Sequence, residues 1–266
     1  MTRRLDWAEY RAPEWGDAVD PERVIAVFPT AAIEQHGPHL PVGVDTYINE
    51  GLLALLRERC PDDLDLRILP VQAVGKSNEH LWAPGTLTLT AETALRAWVE
   101  IGLSVARAGG RTMVIVNSHG GNADLISIVG RELRVRAGMF VVRAGWGARA
   151  ELPEGLFSAQ EKAEGIHGGD SETSMMLHFR PDTVDMEQAA DFRWSNGCGP
   201  IPPVGPVGFG WIASDVNPHG VAGEAHLGTA EKGRIAAEAY VEGMIRLLRE
   251  IRDRPLDGLE PVRVPF

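Results

Sequence analysis

Early in the chain, residues 24–45 are VIAVFPTAAIEQHGPHLPVGVD. The apolar, β-branched beginning, Val24 to Phe28, predicts a buried strand. A polar loop, Ala31 to Asp45, follows it. Open parallel sheets bind their ligands just beyond the carboxyl ends of their strands. The stretch therefore predicts a strand of an α/β fold with a functional site at its end.

Strand and helix patterns alternate outward from this stretch. Further short apolar runs predict strands at Leu66 to Val71, Met113 to Val116 and Met139 to Val142. Helical patterns occupy about Tyr47 to Arg59, Ala91 to Ala108, Ala123 to Ala137 and Ala230 to Ile251. The alternation predicts right-handed βαβ units and a mainly parallel sheet. At 266 residues, we expect one large domain over residues 1–266.

Composition excludes several classes of protein. A formal net charge of -11, with no cluster of Lys and Arg, argues against a nucleic-acid partner. Cys60 and Cys198 show no paired spacing, so neither a disulfide framework nor a zinc knuckle is expected. No apolar run suits a secretion signal or a membrane span. We expect a cytoplasmic protein with no membrane partner.

The stretch Asn196 to Gly228 is dense in glycine and proline, which makes regular structure improbable there. It is too long for an ordinary loop. Because it carries apolar residues that a linker does not need, among them Phe209 and Trp211, we predict an ordered active-site loop. Trp211 is a candidate for covering the substrate, and an ordinary core position is the equal alternative.

Three candidate site residues lie in the loop after the first strand. Glu34 and His36 are two residues apart, so in an extended segment both side chains point the same way and can reach one ion or two adjacent ions. Asp45 begins the next helix, where its carboxylate can bridge ions. The alternatives are that Glu34 is a surface charge, His36 a loop histidine and Asp45 a helix N-cap.

Two further loops have the same polar, glycine-flanked character. NSHGGN, Asn117 to Asn122, follows a predicted strand; His119 is a candidate ligand, and the N–H groups around Gly120 and Gly121 could bind an oxyanion. An ordinary strand-to-helix turn is the alternative. HGGDSETS, His167 to Ser174, precedes an apolar helix whose first turn contains Glu172. There the alternative is Asp170 as N-cap and Glu172 as a partner of the helix dipole.

The residue types in these loops indicate a metal site. Carboxylates and imidazoles suit Zn or Mn, and a shared carboxylate suits a pair of ions. Such a pair can generate hydroxide near neutral pH and polarise a carbonyl group. Because the set contains no cysteine, a thiolate site is excluded.

These loops belong to a longer series of motifs. The series is EQHGPHLPVGVD at Glu34 to Asp45, GKSNEH at Gly75 to His80, PGTLTL at Pro84 to Leu89, NSHGGN at Asn117 to Asn122, HGGDSETS at His167 to Ser174 and GTAEKG at Gly228 to Gly233. In their order and spacing they resemble the creatininase (creatinine amidohydrolase) family. The resemblance implies a three-layer α/β fold, two divalent ions (Zn, Mn or both, with Fe as a further candidate) and a homo-oligomer, commonly a hexamer.

The resemblance also implies roles for individual residues. The metal ligands would be Glu34, His36, Asp45, His119 and Glu172, with Asp45 as the bridge. His167 and Glu172 would be the catalytic residues, His167 as general acid. Ser77 matches a serine of the substrate pocket, and Glu79 and His80 would contact substrate or support the ligands. Simple loop hydrogen bonding is the alternative for these three residues.

Departures from creatininase itself narrow the function. In creatininase, an aromatic residue and a glutamate follow the histidine that matches His119, whereas this chain has Gly120 and Gly121 there. Ala163 and Glu164 stand where creatininase has a tryptophan and an aspartate. The resemblance therefore implies hydrolysis, by metal-activated hydroxide, of a non-peptide C–N bond other than that of creatinine. A cyclic amide, a small linear amide or a formamide would be the substrate. The alternatives are a metallopeptidase acting on a small modified peptide and a metal-binding protein without turnover.

Overall fold

A parallel sheet forms the centre of the protein. The computed structural model describes residues 3–195 and 201–262. The strands of the sheet are β1 (Val24–Thr30), β2 (Asp65–Ile68), β3 (Thr112–Asn117) and β4 (Phe140–Gly145). Their order is β2-β1-β3-β4, and every neighbouring pair is parallel, which confirms the predicted sheet. β2 ends before the predicted Val71, because Pro70 has no N–H to donate to the sheet.

Helices cover both faces of this sheet. They are α1 (Val44–Arg59), α2 (Ala91–Arg107), α3 (Ala123–Ala137), α4 (Ala159–Glu164), α5 (Asp170–Phe179), α6 (Ala213–Val216) and α7 (Ala230–Arg252). Residues of α2 and α3 pack on one face, where Trp98 meets Phe28 of β1 edge to face at 6.4 Å between ring centroids. Residues of α1, α5 and α7 pack on the other face. The three-layer α/β fold is therefore confirmed.

Short elements occupy the connections. Single turns of 3-10 helix occur at Trp7–Glu9, Ala12–Glu14, Gly16–Ala18, Asn78–His80, Gly120–Asn122, Trp146–Arg149, Pro181–Thr183, Met186–Gln188 and Ala225–Leu227. The strands β5 (Asp191–Phe192) and β6 (Gly223–Glu224) form a small antiparallel pair. An isolated bridge joins His167 to Ala222, directly before β6. Among the described residues, no helix has both the length and the apolar character needed to cross a membrane.

The glycine- and proline-rich stretch contains more regular structure than predicted. Within residues 196–228, α6, β6 and a turn of 3-10 helix are present, while residues 196–200, including Cys198, lie outside the described part. Phe209 and Trp211 pack with buried Val216 and Ala222. Together with Ile166 and Trp194 they form a small apolar cluster, which the count of glycines and prolines could not reveal.

The sheet brings two of the candidate loops together. Thr30 at the end of β1 pairs with Asn117 at the end of β3, so the segments that follow leave from the same edge. The Thr30 hydroxyl donates to the Asn117 side-chain oxygen at 3.0 Å. All seven residues of β1 are buried, which fixes this edge in the middle of the molecule.

Candidate metal centre

Glu34 and His36 lie in the loop after β1, and both are almost completely buried. The Glu34 N–H donates to the Val42 carbonyl at 2.8 Å, which closes the loop on itself. The Nδ1 atom of His36 lies 2.9 Å from the Glu34 carbonyl oxygen, so Nδ1 carries the proton. The lone pair of Nε2 is therefore free to bind a metal ion.

Asp45 lies in the first turn of α1 and is buried. Gly43 is the N-cap of this helix and no side chain caps it, so the alternative of Asp45 as N-cap is wrong. Its Oδ1 atom is 3.8 Å from Nε2 of His36, and its Oδ2 atom is 3.5 Å from Nδ1 of His119. Asp45 thus stands between the two imidazoles.

His119 follows β3 and turns its Nδ1 atom towards the carboxylates. Its Nε2 atom lies 2.9 Å from the Lys76 carbonyl oxygen, which assigns the proton to Nε2. Nδ1 lies 3.2 Å from Oε1 of Glu34 and would offer its lone pair to a metal ion once its own proton is released. The Lys76 carbonyl plays the same orienting role for His119 that the Glu34 carbonyl plays for His36.

The third loop contributes Glu172 and His167. Oε2 of Glu172 is 3.6 Å from Nε2 of His36 and accepts a hydrogen bond from the Gly168 N–H at 2.6 Å. His167 donates from Nε2 to the Gln35 carbonyl at 2.6 Å, which leaves its Nδ1 atom 3.5 Å from Oε1 of Glu34. Asp170 is not the N-cap of α5, as the alternative had it; Gly169 holds that position.

Among the described residues, three overlapping groups offer donor atoms within 4.8 Å of one another: Glu34, Asp45 and His119; His36, His167 and Glu172; and Glu34, His80 and His167. We call Glu34, Asp45 and His119 the sheet-side half, and His36, Glu172 and the shared Asp45 the helix-side half. In the sheet-side half, one donor atom from each residue lies within 4.8 Å of the others. Oε2 of Glu34 and Oδ2 of Asp45 are buried without a hydrogen-bond partner among the described residues. Buried polar atoms are rarely left unsatisfied, and a divalent cation would satisfy both.

The electrostatics of the cluster also favour a cation. Burial raises the pKa of Asp45 well above its usual range, and the charge of Glu34 raises it further. Burial also raises the pKa of Glu172. Burial would raise the pKa of Glu34 too, but the charge and hydrogen bond of His119 and the charges of His167 and His36 together outweigh it and leave that pKa well below its usual range. Ionising all of these buried carboxyl groups together is thus unfavourable, and divalent cations would relieve their repulsion.

A cavity of about 400 Å³ opens beside this cluster. Of the predicted substrate residues, it is lined by Glu79, His80, Gly120, Gly121 and Trp211. The Trp211 Nε1–H donates to the Pro203 carbonyl at 2.9 Å, so the glycine- and proline-rich stretch forms one wall. Ser77 is fully buried behind the cavity, with its Oγ atom 3.3 Å from Nε2 of His119.

Position 121 has room for glycine only, because of its close neighbours. A Cβ atom on this residue would lie 2.1 Å from Oε1 of Glu79 and 2.4 Å from Nε2 of His119. The Glu79 carboxylate also pairs with the Lys76 ammonium at 2.8 Å. A glutamate of the creatininase type therefore does not fit at position 121 without displacing Glu79 or His119.

The sequence analysis missed several groups that hold the cluster. The carbonyl groups of Gln35 and Lys76 orient His167 and His119, and a main-chain acceptor leaves no signal in the sequence. Glu161 was also missed. It is a buried acid whose carboxylate lies against Gly165 and against Gly169 of the HGGDSETS motif, and no local pattern in the sequence indicates this contact.

Fold and cluster together define an α/β protein with a candidate two-ion centre at the edge of a parallel sheet. The profile of the creatininase family, described as creatinine amidohydrolase, matches residues 8–248, and the chain belongs to this family of hydrolases. The resemblance noted from the motifs is thereby confirmed.

Individual relatives differ in what their names say they act on. The chain is 32% identical over 241 residues to a mycofactocin precursor peptide peptidase of Mycobacterium tuberculosis, covering 88% of this chain and 87% of the relative. It is 28% identical over 270 residues to the creatinine amidohydrolase of Pseudomonas putida, covering 92% and 95%.

Solved structures of creatininase match closely in fold. A creatininase variant complexed with creatine matches with a TM-score of 0.74 and 25% identity, covering 95% of this chain and 100% of that chain. An Mn form and a Zn-Zn type each match with a TM-score of 0.68, at 25% and 27% identity, covering 88% of this chain and 92% of those chains. Solved relatives of this chain thus include an Mn form and a Zn-Zn form of creatininase.

Proposed function

We propose that the protein hydrolyses an amide C–N bond at two divalent ions held by Glu34, His36, Asp45, His119 and Glu172. The observation that carries the proposal is the pair of buried carboxylate oxygens without a hydrogen-bond partner among the described residues, Oε2 of Glu34 and Oδ2 of Asp45, on carboxylates that lie within 3.2–3.5 Å of Nδ1 of His119. Zn and Mn suit this mixture of nitrogen and oxygen ligands, with Fe as an alternative.

The ligands are arranged so that two ions would share one carboxylate. Such ions supply an acidified water and a polarised carbonyl group. His36 and His119 are each held by a main-chain carbonyl, which fixes the direction of the remaining nitrogen. Asp45 belongs to both halves, and its two oxygens face different imidazoles.

His167 is the proposed proton carrier. Burial lowers its pKa to about 4, so the imidazole is neutral near neutral pH. Its proton is held on Nε2 by the Gln35 carbonyl, and Nδ1 faces the centre. Nδ1 can accept the proton of the attacking water and then act as general acid by delivering it to the leaving nitrogen.

The cavity supports a small substrate as the first candidate. Its volume of about 400 Å³ suits a cyclic amide, a short linear amide or a formamide. Gly120, where a Cβ atom would meet nothing within 4 Å, leaves room on one wall, and Trp211 offers an aromatic surface on another. The protein would act as a homo-oligomer, with a hexamer favoured, in the cytoplasm.

A short modified peptide is the second candidate. Two observations favour it: the 32% identity to a precursor peptide peptidase, and a second cavity of about 250 Å³ on the other side of Gly120. This second cavity is lined by Trp146, Glu172 and Tyr240 among others. Space on both sides of the centre would accommodate a chain that continues beyond the cleaved bond.

Metal analysis combined with a substrate panel tests the proposal. We expect about two ions per chain in the purified protein and, after loading with Mn or Zn, turnover of a lactam, a hydantoin, a formamide or a short peptide. His36→Ala should lose metal and activity, whereas His167→Ala should retain metal and lose about 10²-fold or more in kcat. A metal-free protein that is folded and active would refute the mechanism. Cleavage of peptides alone would select the second candidate.

A further inference from the structure

Glu161 of α4 is a buried acid with an unusual set of partners. It is only 4% exposed, although it lies on a helix of six residues outside the central sheet. Oε1 accepts the Ser171 N–H at 3.1 Å, and Oε2 accepts the Glu224 N–H at 2.8 Å. Within residues 3–195 and 201–262, no Lys, Arg or His forms an ion pair with it. Main-chain N–H groups therefore provide its observed stabilisation.

The surroundings of this carboxylate are formed by backbone that lacks side chains. A Cβ atom on Gly165 or Gly169 would lie 2.4 Å from an oxygen of Glu161, and one on Gly223 would lie 2.7 Å away. These glycines come from the end of α4, the start of α5 and β6. Three separate segments thus approach one carboxylate more closely than any other residue type would permit.

The hydrogen bonds of Glu161 join the two segments that bring His167 and Glu172 to the centre. Ser171 directly precedes Glu172 in the first turn of α5, so one oxygen of Glu161 fixes the start of this helix. A carboxylate is also favourable there because it faces the positive end of the helix dipole. The other oxygen binds Glu224 of β6, two residues after Ala222, whose N–H donates to the His167 carbonyl at 2.7 Å.

We propose that Glu161 is a positioning residue that sets the relative placement of His167 and Glu172. This rests on the proposed function for its chemical consequence. Glu161 touches no candidate ligand side chain; it acts by holding α5 and the strand β6 at a fixed separation. When its carboxylate is changed, Glu172 should lose its alignment with His36, while Glu34, Asp45 and His119, which come from other loops, should keep theirs.

The substitution Glu161→Gln tests this with a minimal change of shape. Its amide NH₂ cannot accept a hydrogen bond, so the contact with Ser171 or with Glu224 is lost. We expect the ion at the helix-side half to bind 10- to 100-fold more weakly than in the wild type, the usual cost of losing a group that supports a ligand. The ion at the sheet-side half should bind with wild-type affinity. Zn titration followed by elemental analysis measures both affinities.

Glu164→Gln provides the matched control, because it makes the same chemical change three residues later in α4. The side chain of Glu164 forms no ion pair within the described ranges, and we expect two ions with wild-type affinities. If Glu161→Gln weakens metal binding equally at both halves, the role of Glu161 is merely structural and the proposal is overturned. Unchanged affinity for both ions would overturn it as well.

A second variant keeps the test decisive if Glu161→Gln does not fold. Gly165→Ala retains the carboxylate but places a Cβ atom 2.4 Å from it. This variant should lower the metal affinity of the helix-side half alone. Wild-type affinities in that variant would refute the positioning role. If the wild type binds no ion, the proposed function has failed by itself. Hydrogen exchange then tests Glu161: faster exchange of the Ser171 and Glu224 amides in Glu161→Gln supports the proposal, and unchanged exchange overturns it.

Discussion

The two halves of the candidate centre are held by different kinds of interaction. The sheet-side half comes from the loops that follow β1 and β3 and from the first turn of α1. Its geometry depends on the register of adjacent parallel strands, in which Thr30 pairs with Asn117. The helix-side half also needs Glu172, which lies on a helix outside the sheet. Residues far apart in sequence must hold that helix in place.

The local contacts follow this division. Around the sheet-side half, the Ser118 hydroxyl donates to the Asp45 carbonyl at 2.8 Å, and the Asn49 amide donates to the Thr30 carbonyl at 3.1 Å. Around the helix-side half, buried charges recur: Asp170 pairs with Lys232 of α7, and Glu161 binds main-chain N–H groups. The sheet-side half is therefore a consequence of the fold, whereas the helix-side half depends on a few individual side chains.

Asp45→Asn should have the largest effect, because Asp45 belongs to both halves. The amide keeps the size of the side chain but loses the charge that two ions would share. We expect metal content to fall from about two ions per chain to nearly none, with activity lost in parallel. Elemental analysis after dialysis checks this. Retention of one tightly bound ion would show that the halves are independent and that Asp45 is not shared.

Lys232→Met should affect the helix-side half alone and also lower stability. It would leave Asp170, which is fully buried, without its counter-charge. Removing one partner of a buried pair costs about 3 kcal/mol, measurable as a lower urea midpoint. We expect the metal affinity of the helix-side half to fall and that of the sheet-side half to stay unchanged. Lys162→Met on α4, an exposed residue, is the control and should change neither quantity.

Removal of the ions should loosen the two halves unequally. After chelation, hydrogen exchange should accelerate most at the first turn of α5, where Glu172 would lose the ion that binds it to His36. Amides of β1 and β3 should exchange slowly with or without ions, because their hydrogen bonds belong to the sheet. Equal acceleration in β3 and α5 would contradict the comparison.

How much of this the sequence predicts follows the same division. The strand Val24 to Phe28 and the helix Ala123 to Ala137 were predicted within two residues, because hydrophobic periodicity reports local structure. The ligand candidates after β1 and β3 could be found because parallel strands end at one edge.

The rest depends on contacts between distant segments. No local pattern indicated that Glu161 would bind Ser171 and Glu224, or that main-chain carbonyls would orient the imidazoles. α4 and β6 are too short to have a period of their own. Ser77 was proposed as a substrate contact, and the fold buries it behind His119. Sequence patterns name the residue types, whereas the side from which each group approaches is a property of the tertiary structure.

The smallest expected effect is a difference between the two halves in how their metal affinity changes with pH. Burial lowers the pKa of His119, but the charge of Glu34 and its hydrogen bond outweigh it and raise that pKa to about 10 without metal. Burial lowers the pKa of His36 to about 4. An ion can bind only to a deprotonated nitrogen. His119 must therefore release a proton on binding at any pH below about 10, while His36 releases none above about 4.

Affinity at the sheet-side half should therefore rise with pH between about pH 6 and 9, by about tenfold per unit for the proton that His119 releases. Affinity at the helix-side half should rise less there, because His36 releases no proton and only the raised pKa values of Glu172 and of the shared Asp45 contribute. Calorimetric titration of Zn in buffers of different ionisation enthalpy counts the protons released by each ion. Equal proton release would mean that the two imidazoles do not experience the different surroundings on which the comparison depends.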